Sequence, residues 1–214
     1  LWSDATTLIT LTAAPLSTTD YSVVYTLNSC ESVESFGTIV VNPVPIVTIL
    51  DTTICIGGTA ILLAEVSIAG GDYLWPLNGQ VTSSISVSPS TTTSYTVDYV
   101  LDGCAAQDIG TVTVQNPPQI AIVVSDTLGC SPITISFSNP FADPNSSCIW
   151  SFSNGDDVSG CDAVYTFENG GCYDVSLNVD DMVCTAGMTE FDLICIEDPP
   201  IASFSVTPPI LNET

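Results

Sequence analysis

Leu74–Cys104 reads LWPLNGQVTSSISVSPSTTTSYTVDYVLDGC, and Leu1–Cys30 reads LWSDATTLITLTAAPLSTTDYSVVYTLNSC. Leu1 and Trp2 align with Leu74 and Trp75, Tyr21 with Tyr95, Tyr25 with Tyr99, and Cys30 with Cys104. The tails GTIVVNPVP, from Gly37, and GTVTVQNPP, from Gly110, continue the match. A self-similarity of this kind marks a repeat architecture, with a period of about 73 residues.

Within each copy the segments TVTV, ISVS and YTVDYV alternate apolar and polar residues, and Gly, Pro, Asn, Asp and Ser separate them. Period-two alternation broken by turn residues is the pattern of half-buried β-strands. No segment of helical length carries a 3.6-residue period. The expected fold is therefore all-β: tandem antiparallel β-sandwiches, stapled by disulfides and arranged as an extended rod.

The repeat sets the expected boundaries. Residues 46–118 form one complete unit, and residues 1–45 are the C-terminal part of a truncated one. Residues 119–198 form a related unit with its own cysteines, a tryptophan (Trp150) and a tyrosine strand, CYDVSLNV. Residues 199–214 read as the first strand of a further, truncated repeat. Prolines at 43 and 45, 117 and 118, and 199 and 200 fall at the boundaries, where their fixed φ stiffens the joints.

Composition narrows the function. The 214 residues include 24 Asp and Glu but no Lys, Arg or His, for a formal charge of −24. With no basic side chain, phosphates and anionic headgroups are repelled, so no nucleic-acid partner is expected. Without His or Lys there is no common general base, neutral metal ligand or Schiff-base nucleophile, so no enzyme is expected. Charged residues are only 11% and hydrophobic residues 45% of the chain, which is a folding composition rather than a disordered one. No apolar run approaches a bilayer span, so no membrane insertion is expected.

Nine cysteines suit a protein matured outside the reducing cytosol. Zinc is set aside, because C-x-x-C does not occur and no His is present. Cys148 and Cys161 bracket CIWSFSNGDDVSGC. Asn154-Gly155 predicts a two-residue type I′ turn, which places Ser153 opposite Asp156, Trp150 opposite Ser159 and Cys148 opposite Cys161, within disulfide reach. Cys172 and Cys195 flank a turn near Val183 and Cys184 and form a second cross-strand pair. A tryptophan between two distant cysteines suggests that Trp75 packs on a Cys55–Cys104 bridge. Matching the units then leaves Cys130–Cys184, with Cys30 unpaired by truncation.

Calcium is the one cofactor left open, with Asp156 and Asp157 as weak nominees, although no EF-hand spacing occurs. The adjacent pairs Asp156-Asp157 and Asp180-Asp181 otherwise read as turn residues.

The stretch Ile54 to Val114, with its ICIGGTA, YLW, VSPSTTTSYTV, GC and GTVTV elements, resembles the Ig-like repeats of very large Bacteroidota surface proteins. The next unit, with GCSPITISFSN, WSFSNG, YTF and GGCYDV, resembles the polycystic-kidney-disease (PKD) type β-sandwich. Where that family reads W-D-F-G-D-G, this chain has Trp150, Ser151, Phe152, Ser153, Asn154 and Gly155, so both aspartates are replaced. The resemblance implies an extracellular, cell-surface adhesin exported by type IX secretion, including those of gliding motility. Its repeats would act as stalk or spacer, or in surface attachment. Such repeats also occur in secreted hydrolases as accessory modules that bind polysaccharide or position a catalytic domain. Implied partners are neighbouring repeats of the same chain, surface polysaccharide or other cell-surface proteins. Asp51-Thr52-Thr53 and Asp126-Thr127-Leu128 resemble the O-glycosylation triplets of such proteins, at Thr52 and Thr127.

Overall fold

The computed structural model describes residues 1–205. The described residues contain no helix and nineteen strands. Contacts divide the chain into two compact units, Leu1–Thr52 with Thr59–Thr113, and Thr53–Gly58 with Val114–Thr214. The expected start of a further repeat at 199–214 falls mostly on residues 206–214, outside the described residues.

The first unit opens with β1 (Thr19–Val23), β2 (Thr26–Leu27), β3 (Cys30–Glu31) and β4 (Ser35–Ile39). It continues through β5 (Val47–Ile49), β6 (Thr52–Cys55), β7 (Ala60–Val66), β8 (Asp72–Leu74), β9 (Ser84–Val87), β10 (Thr93–Leu101) and β11 (Cys104–Gln115). The last three residues of β6 and the end of β11 group with the second unit. The sheets run β5-β7-β9 and β6-β11-β10-β8. Alternate residues are buried on both: Val47, Ile49, Ala60, Leu62, Ala64, Ile85 and Val87 on the first, Tyr95, Val97, Tyr99 and Val112 on the second. Two sheets that each hide one face make a sandwich, because neither face is stable in water alone.

The sequence repeat is also a repeat of register. Tyr95 faces Gly110 and Leu101 faces Cys104, as Tyr21 faces Gly37 and Leu27 faces Cys30. Leu74 pairs with Asp98, and the aligned Leu1 and Val24 exchange backbone hydrogen bonds of 2.6 and 3.0 Å. Packing separates the copies. Tyr99 is fully buried, donates its hydroxyl to the Ile68 carbonyl at 2.7 Å and accepts the Gly71 N–H at 2.8 Å. Its counterpart Tyr25 is 65% exposed.

The second unit contains β12 (Val123–Val124), β13 (Leu128–Cys130), β14 (Ile133–Ser138), β15 (Ser147–Phe152), β16 (Asp157–Ser159), β17 (Asp162–Phe167), β18 (Gly171–Asp180) and β19 (Thr185–Glu197). A three-stranded sheet, β12-β14-β17, and a five-stranded sheet, β13-β19-β18-β15-β16, enclose one core of Ile135, Phe137, Trp150, Phe152, Phe167, Val175, Leu177, Val179, Ile194 and Ile196. Phe137 is its hub, with ring centroids 5.4 Å from Trp150, 5.2 Å from Phe152 and 6.5 Å from Phe167. Offset aromatic contacts of this kind add about 0.5–1.5 kcal/mol each beyond area burial.

Two expected disulfides are not formed. Cys55 is bridged to Cys184, so neither Cys55–Cys104 nor Cys130–Cys184 exists, and Cys30, Cys104 and Cys130 are free thiols. The reason is strand length. Cys55 ends β6 at the far end of β11, where Ile56 N–H donates to the Gln115 carbonyl at 2.9 Å. Cys104 begins β11, eleven residues earlier, and at about 3.3 Å per residue that is about 36 Å away. Cys130 faces Glu197 at the end of β19, whereas Cys184 precedes its first residue, a comparable distance. Trp75 is buried as expected, but its indole N–H donates to the Thr82 carbonyl at 2.8 Å and there is no Cys55–Cys104 bridge for it to cover.

Trp150 is fully buried and Phe191 is 77% exposed. Trp150→Ala should lower the unfolding free energy by about 3–5 kcal/mol and Phe191→Ala by less than about 0.5 kcal/mol, as read from urea midpoints at unchanged slope. Equal effects would contradict the assignment of Trp150 to the core.

Candidate functional site

Among the described residues, the Cys148–Cys161 hairpin and the turn that carries Asp180, Asp181 and Cys184 gather the acidic pairs and cysteines singled out in the sequence. In the hairpin, Trp150 faces Val158 and Ser151 faces Asp157. That is one residue out of the expected register. Gly155 N–H donates to the Phe152 carbonyl at 2.9 Å, and Phe152 N–H donates to the Asp156 carbonyl at 3.0 Å. The loop is therefore Ser153-Asn154-Gly155, a turn followed by Gly155 at φ +93°, the three-residue hairpin form. Asn154 does not adopt the positive φ that a type I′ turn demands.

The cysteines meet despite the shift. Gly160 donates its N–H to the Cys148 carbonyl at 2.9 Å and has φ +114°, so the chain bulges by one residue there and returns Cys161 to Cys148, with Cα atoms 4.9 Å apart. The Trp150 indole N–H is satisfied by the Gly160 carbonyl at 2.9 Å. The second staple is simpler, because Cys172 faces Cys195 directly across β18 and β19.

Asp156 is held in the loop. It accepts the Tyr165 hydroxyl and the Asn154 amide, the latter at 3.1 Å, while Asn154 also donates to the Tyr165 oxygen at 2.8 Å. Burial pushes the Tyr165 phenol above its ordinary pKa, and the hydrogen bond to Asp156 adds to that rise. Asp157 is exposed on β16. Among the described residues no three Asp, Glu or Cys side chains converge, so the structure brings no third acidic ligand to this pair. The triad Asn154–Asp156–Tyr165 braces a turn.

At the other turn, Asp180 accepts the Met182 N–H at 2.7 Å. One oxygen of Asp181 accepts the N–H groups of Val183 and Cys184 at 3.1 and 2.7 Å, and the other accepts the Gln115 amide at 2.7 Å. The Cys184 backbone bond does most to hold the Asp181 carboxyl below the usual aspartate range; desolvation opposes it, and the bonds from Val183 and Gln115 add to the lowering. Cys184 lies 3.6 Å from the Gln115 carbonyl and is bridged to Cys55 over a separation of 129 residues. A closure that long is worth about 5 kcal/mol in the chain-entropy model, against about 3 kcal/mol for the 13-residue separation of Cys148 and Cys161.

Sequence reasoning missed the pairing of Gln115 with Asp181. The available signal was the alignment of Gln115 with Asn42 in the two matched tails. Of the glycosylation triplets, Thr127 is exposed and Thr52 is half-buried on β6.

No family model matches the chain, and no curated protein matches it. Among solved structures it is similar to the N-terminal eight Ig domains of Down Syndrome Cell Adhesion Molecule, at 15% identity over 81% of this chain and 31% of that one, with a TM-score of 0.47. It is also similar to the titin I-band fragment I67–I69, at 11% identity over 74% and 68% of the two chains, TM-score 0.46. Extracellular domains 3–5 of Drosophila OTK match at 10% identity over 86% and 72%, TM-score 0.43.

Asp181 predicts a pH dependence. A carboxyl whose pKa is lowered on folding stabilises the fold above its unfolded value of about 3.9, and that stability is lost as pH falls through the folded value. At pH 6 Asp181→Asn should melt below the parent chain, and the gap should close as pH drops below about 4. A gap that stays constant to low pH would show that the charge of Asp181 plays no part.

Proposed function

We propose that this chain is a non-enzymatic structural segment of a large secreted cell-surface adhesin, in which disulfide-stapled repeats act as a stalk or spacer. The observation that carries this reading is the double repeat of sequence and register, Tyr21 on Gly37 and Tyr95 on Gly110. One β unit copied in tandem gives length rather than a new site. In this reading the repeats divide at residues 45, 118 and 198, near the paired prolines, and run as an extended rod.

An extracellular location is supported by the three bridges among nine cysteines, which a reducing cytosol would not sustain. A charge of −24 with no cation to offset it keeps such rods apart and extended at low salt. Neighbouring repeats are the first partners, with surface polysaccharide or other surface proteins met at the tip of the assembly. Export by type IX secretion, a part in gliding motility and glycans on Thr127 or Thr52 belong to the same reading.

Small-angle scattering tests the spacer role. A compact domain of 214 residues has a radius of gyration of about 17 Å. The spacer reading expects a value well above this, rising further at low salt, and a value near 17 Å would sink it.

A further inference from the structure

The bridge that overturned the expected pairing has an unfinished counterpart in the same chain. Around Cys184, three parts meet: the hairpin cysteine itself, the Gln115 carbonyl 3.6 Å from its sulfur, and Cys55 at the end of β6. The Gln115 side chain reaches the hairpin turn at Asp181. Around Cys104 the first two parts recur. Cys104 closes the β10–β11 hairpin, its sulfur lies 3.9 Å from the Asn42 carbonyl, and the Asn42 side chain donates to the Asp102 carbonyl in the hairpin turn at 3.2 Å. Asn42 is the repeat counterpart of Gln115. The third part, a strand bearing a cysteine, is not among the described residues there.

The surface beside Asn42 has the form that such a strand would need. β11 is flanked by β10 and β6, whereas its counterpart β4 pairs with β1 alone among the described residues, and all five of its residues are exposed. Gly110 is pressed by β5: a Cβ there would lie 2.3 Å from an Ile49 methyl. Its counterpart Gly37 has nothing within 4 Å of that position. No described residue takes, at Gly37, the place that Ile49 takes at Gly110.

We propose that β4, Gly37 and Cys104 form the receiving half of an inter-repeat joint, and that its occupant is a β5–β6-type segment of the repeat preceding that of Cys104, whose cysteine bridges Cys104. Each early cysteine then pairs with the hairpin cysteine of the repeat that follows, as Cys55 pairs with Cys184. Cys130, which ends β13 beside the last residue of β19 as Cys55 ends β6 beside Gln115, is the donating half of the next joint. Cys30, which closes the β2–β3 hairpin, is the receiving half of an earlier one. The three free thiols thus have one explanation. The inference rests on pairing geometry and holds whether or not the assembly is adhesive.

Chemically, two thiols become one disulfide, losing two protons and two electrons to a disulfide oxidant, which leaves as two thiols. The test uses the 214-residue chain with its bridges intact and a peptide of sequence IVTILDTTICIGG, residues 46–58, its cysteine activated as a mixed disulfide with thionitrobenzoate. Attack by Cys104 joins it to the peptide and releases the coloured thiolate. Cys30 and Cys130 are exposed and Cys104 is half-buried, so a small aromatic disulfide should label Cys104 last. The peptide should reverse that order, labelling Cys104 about tenfold or more faster than the other two through local concentration. A shuffled peptide should not. Gly37→Leu, whose Cβ would meet nothing within 4 Å and whose longer side chain would occupy the space the strand needs, should abolish the preference and leave the fold's melting temperature unchanged. Labelling by exposure alone, or equal rates with the shuffled peptide, would overturn the proposal.

Discussion

A β-strand of twelve residues is about 40 Å long, and β11 and β19 have 12 and 13 residues. That length is the constraint on which the covalent framework depends. A cysteine at the start of such a strand is out of reach of one beside its end, whatever the sequence separation. Cys104 and Cys184 sit at hairpin ends, while Cys55 and Cys130 sit beside strand ends. Staples within one repeat are thereby excluded for these four. Cross-strand neighbours such as Cys172 and Cys195 remain the only short route.

Much of the fold was legible because alternation is a local property. The segments ISVS, YTVDYV and YDVSLNV bury every second residue as their patterns require, and Trp75 and Trp150 are core residues. The repeat was legible for a related reason: one packing solution used twice keeps Tyr, Gly and Cys at fixed register. What the sequence did not reveal lay in geometry that a single residue can change. The Asn154-Gly155 step read as a two-residue turn, yet Gly155 alone takes the positive φ, and the loop gains a residue. The bulge at Gly160 then restores Cys161 to Cys148, so the two cysteines meet in a register one residue from the expected one.

The partner of Cys55 was misread through a different route. Trp75 between two distant cysteines resembles the arrangement in which a core tryptophan covers a bridge between the sheets of one sandwich. That arrangement needs both cysteines at mid-strand, facing inward. Cys55 and Cys104 are at strand ends and half-buried, and the tryptophan is held by Thr82 instead. The more informative signal was Asn42 and Gln115, two polar residues at the same place in each tail, whose side chains each reach a hairpin turn. Their role is positional: each sets a carbonyl beside the sulfur of a hairpin cysteine.

The central claim is that strand-end cysteines bridge one repeat's early strand to the hairpin of the next. A non-reducing peptide map after digestion with a protease that needs no basic residue tests it most directly. The account expects the peptide containing Cys55 to be joined to the one containing Cys184, with Cys104 and Cys130 recovered as thiols. Recovery of Cys55 with Cys104, or of Cys130 with Cys184, would contradict it.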